Sequence, residues 1–67
     1  MTASKIIGHK IRAIREEKGM TQEQFGYKIG ADRQYVWSLE KGKKNITMSR
    51  LDEMARAFGV EVKEFFN

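Results

Sequence analysis

Arg33 and Gln34 are adjacent side chains whose types suit the recognition of nucleic-acid bases. Arginine can donate two hydrogen bonds to O6 and N7 of guanine, and glutamine can pair in a similar way with N6 and N7 of adenine. Ser38 lies four residues after Gln34 and shares its face if the segment is helical. These three residues are predicted to contact base edges, and the alternative is an ordinary solvated helix face.

The segment around Arg33 has one apolar side and one polar side when it is drawn as a helix. Val36 and Leu39 fall on the first side. At about 100° per residue, the opposite side spans about 140° and carries Arg33, Gln34, Trp37, Ser38 and Lys41. We therefore expect the apolar side to pack on the domain while the polar side faces a ligand.

Two aromatic residues of this segment have more than one interpretation. Trp37 lies on the polar side, so its indole could contact DNA sugars or a thymine methyl group, or it could cover a neighbouring loop or helix. Tyr35 lies at the edge of the apolar side. Its ring is predicted to pack partly on the domain while its hydroxyl reaches a phosphate or water.

Capping residues and glycines divide the chain into five predicted helices. Serine, threonine and aspartate favour helix starts, and glycine favours the position after a helix end. A capping box, with Thr21 as N-cap and Gln24 three residues later, marks the second start. Thr2 or Ser4 could cap the first helix. The predicted helices are about Ser4 to Lys18, Thr21 to Ile29, Asp32 to Lys41, Thr47 to Phe58, and a short turn at about Glu61 to Phe66.

The apolar residues of these helices recur at helical spacing, which predicts one core. The predicted core residues are Ile7, Ile11, Ile14, Met20, Phe25, Ile29, Val36, Leu39, Leu51, Met54, Phe58, Val60 and Phe65. Gly26 interrupts the second helix at a cost of about 1 kcal/mol relative to alanine, which suggests that another helix packs closely against it.

Length and composition restrict the class of protein. The chain has 67 residues, which predicts a single domain over residues 1–67. It contains no cysteine and one histidine, His9, so no metal site or other cofactor is expected, and His9 is expected to be solvated. No apolar run approaches the roughly 20 residues that span a bilayer, and no signal peptide is recognisable, which predicts a cytoplasmic protein without membrane contact.

The basic residues are concentrated in the middle of the chain. The net charge is +4, and residues 33–50 alone carry five basic side chains against one acidic side chain. A basic patch on one element is typical of nucleic-acid binding. Catalysis has no support, because there is no cysteine nucleophile, glycine-rich phosphate loop or metal-ligand cluster, and no small-molecule ligand is expected.

The second and third predicted helices are joined by a short connection that contains Gly30, which is typical of a helix-turn-helix. This stretch resembles the phage repressor and Cro class, the Xre-type helix-turn-helix family. The matching residues are Thr21-Gln22, Phe25-Gly26, Ile29-Gly30, Val36, Leu39-Glu40 and Gly42. Residues 32–36, 39–40 and 43–47 also resemble the controller proteins of restriction–modification systems.

The resemblance implies a compact, all-α, five-helix domain that regulates transcription by sequence-specific binding to double-stranded DNA. The third helix would enter the major groove. The resemblance also implies that Arg15 and Glu40 form a partly buried, structural ion pair, and that Gln22 contacts the DNA backbone. The helix N-terminus at Gln22 favours a phosphate independently of the family.

The remaining expected contacts follow from charge and position. Tyr35, Lys41, Lys43 and Lys44 are predicted to contact the DNA backbone together with Gln22, and solvated charge is the alternative for Gln22 and the loop lysines. A protein-interaction module such as an antitoxin is the alternative function. We expect the segment that usually contacts a toxin to be missing, since the chain stops at Asn67.

A homodimer is expected because one recognition helix reads only a few base pairs, and a symmetric dimer would require a near-palindromic operator. Phe65 is predicted to close the core, whereas Phe66 differs from it by about 100° and cannot face the same way. The predicted interface consists of Phe66 with Val62, Ile46 or Met48. A fraying terminus is the alternative.

Overall fold

The computed structural model describes residues 2–67, and Met1, with which the predicted domain begins, lies outside the described residues. The described chain is all-helical. It consists of α1 (Ala3–Glu17), α2 (Gln22–Lys28), α3 (Arg33–Glu40), α4 (Met48–Phe58) and a C-terminal 3₁₀ helix (Val62–Phe66). The prediction of an all-α fold with five helical elements is confirmed, and the fifth element is a 3₁₀ rather than an α-helix.

Each α-helix begins with a side chain that caps it. The side-chain oxygen of the N-cap accepts a hydrogen bond from the backbone N–H three residues later, and the four N-caps are Thr2, Thr21, Asp32 and Thr47. The capping box at Thr21 and Gln24 is complete in both directions. Of the two candidates for the first cap, the structure has Thr2. Such a cap contributes about 1 kcal/mol.

The core joins all five elements. Phe25 of α2 stacks on Phe58 of α4 with ring centroids 4.2 Å apart, and Phe65 of the 3₁₀ helix lies 6.3 Å from Phe58. The buried apolar residues are Ile11, Phe25, Ile29, Val36, Leu39, Leu51, Met54, Ala55, Phe58 and Phe65. The predicted core residues Ile7, Ile14, Met20 and Val60 are only partly buried and pack against this cluster.

Two helical glycines allow close approach of backbone. A Cβ atom at Gly26 would lie 3.0 Å from the carbonyl oxygens of Ala31 and Asp32. The sequence predicted that another helix packs closely against Gly26. This prediction is wrong in detail, because the close neighbour is the turn that leads into α3. Gly8 was not predicted to be special, yet a Cβ there would lie 2.9 Å from the carbonyl oxygen of Glu40. Gly8 thus lets α1 pack against the C-terminal end of α3.

Candidate nucleic-acid interface

The connection between α2 and α3 is a tight turn closed by backbone hydrogen bonds. Ile29 donates to Gly26, and Ala31 donates to the same carbonyl oxygen at 2.8 Å. Gly30 has a φ of +67°, a left-handed conformation that glycine adopts without steric cost. Asp32 then caps α3 through Tyr35 N–H at 2.8 Å. These contacts fix the direction in which α3 leaves α2.

The two sides of α3 are separated as the helical wheel indicates. Val36 and Leu39 are fully buried in the core. Arg33, Gln34 and Lys41 are exposed on the other side, and Ser38 beside them is half-buried. Because the buried side holds α3 on the domain, its remaining side presents hydrogen-bonding and cationic groups to the solvent.

Trp37 lies at the boundary between α3 and α1. Its side chain is 40% exposed, and it lines a cleft whose opposite wall is α1. The ammonium group of Lys41 stands 5.7 Å from the centre of the indole ring, which is within cation–π range. Trp37 thus faces the gap between α3 and α1, and part of its ring is accessible.

The hydroxyl of Tyr35 accepts a hydrogen bond from Arg50, a contact that the sequence did not predict, and its predicted contact to a phosphate or water stays a prediction. The Nε of Arg50 donates to this hydroxyl at 3.1 Å, and the guanidinium lies 4.8 Å from the ring centre. This hydrogen bond raises the pKa of Arg50 above its ordinary value. The hydroxyl acts as acceptor here, so its own proton can still be donated to an anion.

Arg50 lies beside the candidate interface, and sequence reasoning did not single it out. Besides Tyr35, its guanidinium donates to the carbonyl oxygen of Ile29 at 3.0 Å and to Glu53 at 3.4 Å. It therefore connects α4 to the end of α2 and to α3. A signal was present in the sequence, because a cation in the first turn of a helix opposes the helix dipole and needs another reason to be there.

Arg15 and Glu40 form a bidentate ion pair between α1 and α3. The two hydrogen bonds measure 2.6 Å and 3.1 Å, and the side chains are only 11% and 4% exposed. Arg15 also donates to the carbonyl oxygen of Met20 at 2.8 Å. Hydrogen bonding to Glu40 raises the pKa of the Arg15 guanidinium above its ordinary value.

Gln22 stands at the first position of α2 and takes part in this network. Its side-chain amide nitrogen donates to Glu40 at 3.2 Å. An amide nitrogen carries two protons, so the second one remains for a phosphate, as do the free backbone N–H groups of the helix start. The ion pair thus holds in place Gln22, which is predicted to contact the DNA backbone.

The loop lysines lie beyond the C-terminal end of α3. The side chains of Lys43 and Lys44 are exposed, and the backbone N–H of Lys43 donates to Ser38. The ammonium of Lys44 lies 5.9 Å from the ring centre of Tyr35. This arrangement brings Lys44, Tyr35 and Arg50 together at one edge of α3, while Lys41 stands at the other edge beside Trp37.

The residues predicted for the dimer interface divide into two groups. Phe66 and Met48 are 57% and 62% exposed, although both are large and apolar. Ile46 and Val62 are partly buried and pack against the core. Phe65 is fully buried, so the two adjacent phenylalanines face opposite ways.

Within residues 2–67, no group of three or more His, Asp or Glu side chains is arranged to hold a metal ion. None of the helices found there is both long and apolar enough to cross a membrane.

Comparison with known proteins gives consistent matches over nearly the whole chain. A family model described as helix-turn-helix matches residues 11–65. An uncharacterised HTH-type transcriptional regulator of Sinorhizobium fredii is 42% identical over 60 residues, which cover 90% of this chain and 78% of the relative. The control protein C.MunI of a Mycoplasma species is 34% identical over 61 residues, with 90% and 82% covered.

One solved structure is similar to this chain in both fold and sequence. The restriction–modification controller protein C.AhdI from Aeromonas hydrophila superposes with a TM-score of 0.84 at 33% sequence identity. The match covers 90% of this chain and 87% of that one.

Proposed function

The chain belongs to the phage-repressor type of helix-turn-helix family, whose members are DNA-binding transcriptional regulators, and we propose that it binds a near-palindromic operator as a homodimer. The observation that carries this proposal is the amphipathic α3, with Val36 and Leu39 buried and Arg33, Gln34 and Lys41 exposed. Members of this family are regulators rather than enzymes. Because such a regulator must reach DNA, the proposed location of the protein is the cytoplasm.

Specific contacts are proposed for the exposed side of α3 and its neighbours. Arg33 and Gln34 read base edges in the major groove, with Ser38 and Trp37 beside them. The backbone is held by Gln22, Tyr35, Lys41, Lys43 and Lys44. Packing of all five elements around one core supports the proposal that residues 1–67 act as one domain.

A controller-like role is the subtype that the comparisons favour. C.MunI and C.AhdI are both named as controllers and match this chain over at least 82% of their own length. The names of these relatives also favour DNA binding over an antitoxin that sequesters a protein. Selection of bound duplexes from a random DNA pool tests the proposal, which predicts a motif with two-fold symmetry. An asymmetric motif, or no enrichment, would contradict it.

Affinity for the selected operator should fall steeply with salt. Each neutralised phosphate contributes about 0.9 to the slope of log affinity against log salt concentration. Lys43→Ala should reduce this slope by about one and weaken all sequences alike. Fluorescence anisotropy between low and physiological salt measures it. Lys63→Ala, which removes an exposed charge outside the helix-turn-helix, should keep the parent slope, and a parent slope near zero would eliminate the DNA-binding role.

Phe66→Ala should shift the protein from dimer toward monomer, because the exposed phenylalanine ring is proposed to be buried by the partner subunit. Two recognition helices one DNA turn apart, about 34–36 Å, need such a connection. Sedimentation at micromolar concentration measures the shift, and binding to a full operator should weaken more than binding to a half-site. Tyr27→Ala is the control, since Tyr27 is 86% exposed on α2 outside the proposed interface. A parent that is monomeric both free and on DNA would contradict the dimer.

A further inference from the structure

A basic cleft of about 440 Å³ lies between α1 and α3, beside the recognition surface. One wall is formed by Lys5, His9 and Arg12, which follow each other at helical spacing along α1. The opposite wall is formed by Trp37 and Lys41, and Gln22 also lines the cleft. None of the three α1 residues belongs to the contacts proposed above.

The cleft carries a net positive charge, because its single carboxylate does not offset its cationic side chains. Glu40 is the one carboxylate in the lining, and its two oxygens are bound by Arg15 and Gln22. Lys5, Arg12 and Lys41 remain as cations, and His9 adds a ring N–H donor. Arg12 does pair with Glu16 at 3.2 Å, but both side chains are more than half exposed and such pairs contribute at most about 1 kcal/mol. A cleft of this composition suits an anion.

The position of the cleft indicates which anion. Gln22 lines the cleft, and so does Lys41 at the C-terminal end of α3. A DNA strand held by these two residues would therefore continue past α1. The partly exposed indole of Trp37 offers a flat apolar surface for a deoxyribose beside the phosphate. A backbone phosphate next to the one at Gln22 therefore fits both the charge and the apolar wall.

We propose that this cleft holds a phosphodiester group of the operator strand, bound by Lys5 and Arg12, with its sugar against Trp37. The inference rests on the proposed DNA-binding function and extends it to α1. It implies that the footprint of each subunit is wider than the helix-turn-helix itself. It also gives the indole a role outside base recognition.

The test uses the full chain and the duplex selected from the random pool. Lys5→Ala and Arg12→Gln should each reduce the salt slope, and the double variant should reduce it by about 0.9, because the two residues bind one phosphate. The preferred base sequence should stay unchanged. Ethylation of the DNA phosphates should identify one position, next to that of Gln22, that matters for the parent and no longer for these variants. Lys5→Arg should restore the parent slope. Lys10→Ala is the matched control, since Lys10 is on the same helix but outside the cleft.

Trp37 provides a second readout, because it is the only tryptophan of the chain. The selected duplex should change its fluorescence in the parent, and inorganic phosphate without DNA should not. A response to inorganic phosphate that disappears in Lys5→Ala, with the DNA salt slope unchanged, would assign the cleft to a free anion and overturn the proposal. Parent-like slopes and ethylation patterns in both variants would also overturn it while the DNA-binding function stands. If the parent protein binds no duplex, both the proposed role of the cleft and the proposed DNA-binding function are wrong.

Discussion

Glu40→Ala is expected to lower the free energy of unfolding by about 3–5 kcal/mol, because it leaves the buried guanidinium of Arg15 without its charge partner. The pair is bidentate and only 11% and 4% exposed, so solvent cannot replace the lost carboxylate easily. Small domains are stabilised by only about 5–15 kcal/mol in total. The variant should therefore be largely unfolded at moderate temperature, as thermal and urea unfolding followed by circular dichroism would reveal.

A matched control is the exposed pair of α1. Arg12→Ala removes a single Arg–Glu contact at 3.2 Å within one helix, and it should cost about 1 kcal/mol or less. Glu40→Gln should fall between the parent and Glu40→Ala, since the amide can still accept a hydrogen bond from Arg15. A Glu40→Ala protein of parental melting temperature that fails to bind DNA would place the pair in the interface and not in the scaffold.

Arg33→Ala is expected to cost about 1–3 kcal/mol per half-site and to relax the preference at one base position. Arg33 is exposed in the first turn of α3, the part of a recognition helix that enters the groove. Gln34→Ala should do the same at the adjacent position. The loss arises because each base edge then keeps unpaired donors or acceptors in the desolvated groove.

Competition between the selected operator and single-base variants measures this effect. Lys43→Ala is the control, because loss of a phosphate contact should weaken every sequence by the same factor. If Arg33→Ala and Gln34→Ala both keep the parent ratio between operator and random DNA, α3 is not the reading helix and the proposed base contacts are wrong.

Local chemistry in the sequence predicted most of the secondary structure. The caps at Thr21, Asp32 and Thr47 act on backbone groups three residues away, so their effect can be read without knowledge of the fold. The same holds for the division of α3 into a buried side and an exposed side, because helical periodicity alone separates Val36 from Gln34. The resemblance to the repressor class supplied the interpretation of Arg15 and Glu40 as an ion pair.

The sequence alone thus determined which segments are helices, where α2, α3 and α4 begin and which side of α3 faces outward, since these depend on interactions within one or two turns. Only the tertiary structure decided which other elements pack next to the exposed side of α3. The contact of Arg50 with Ile29 and Tyr35 joins residues 21 and 15 positions apart, and the cleft at Trp37 is lined by α1. Helical periodicity gives the direction of a side chain around its own axis. It carries no information on which distant helix packs there, because that depends on the joint burial of all the apolar sides in one core.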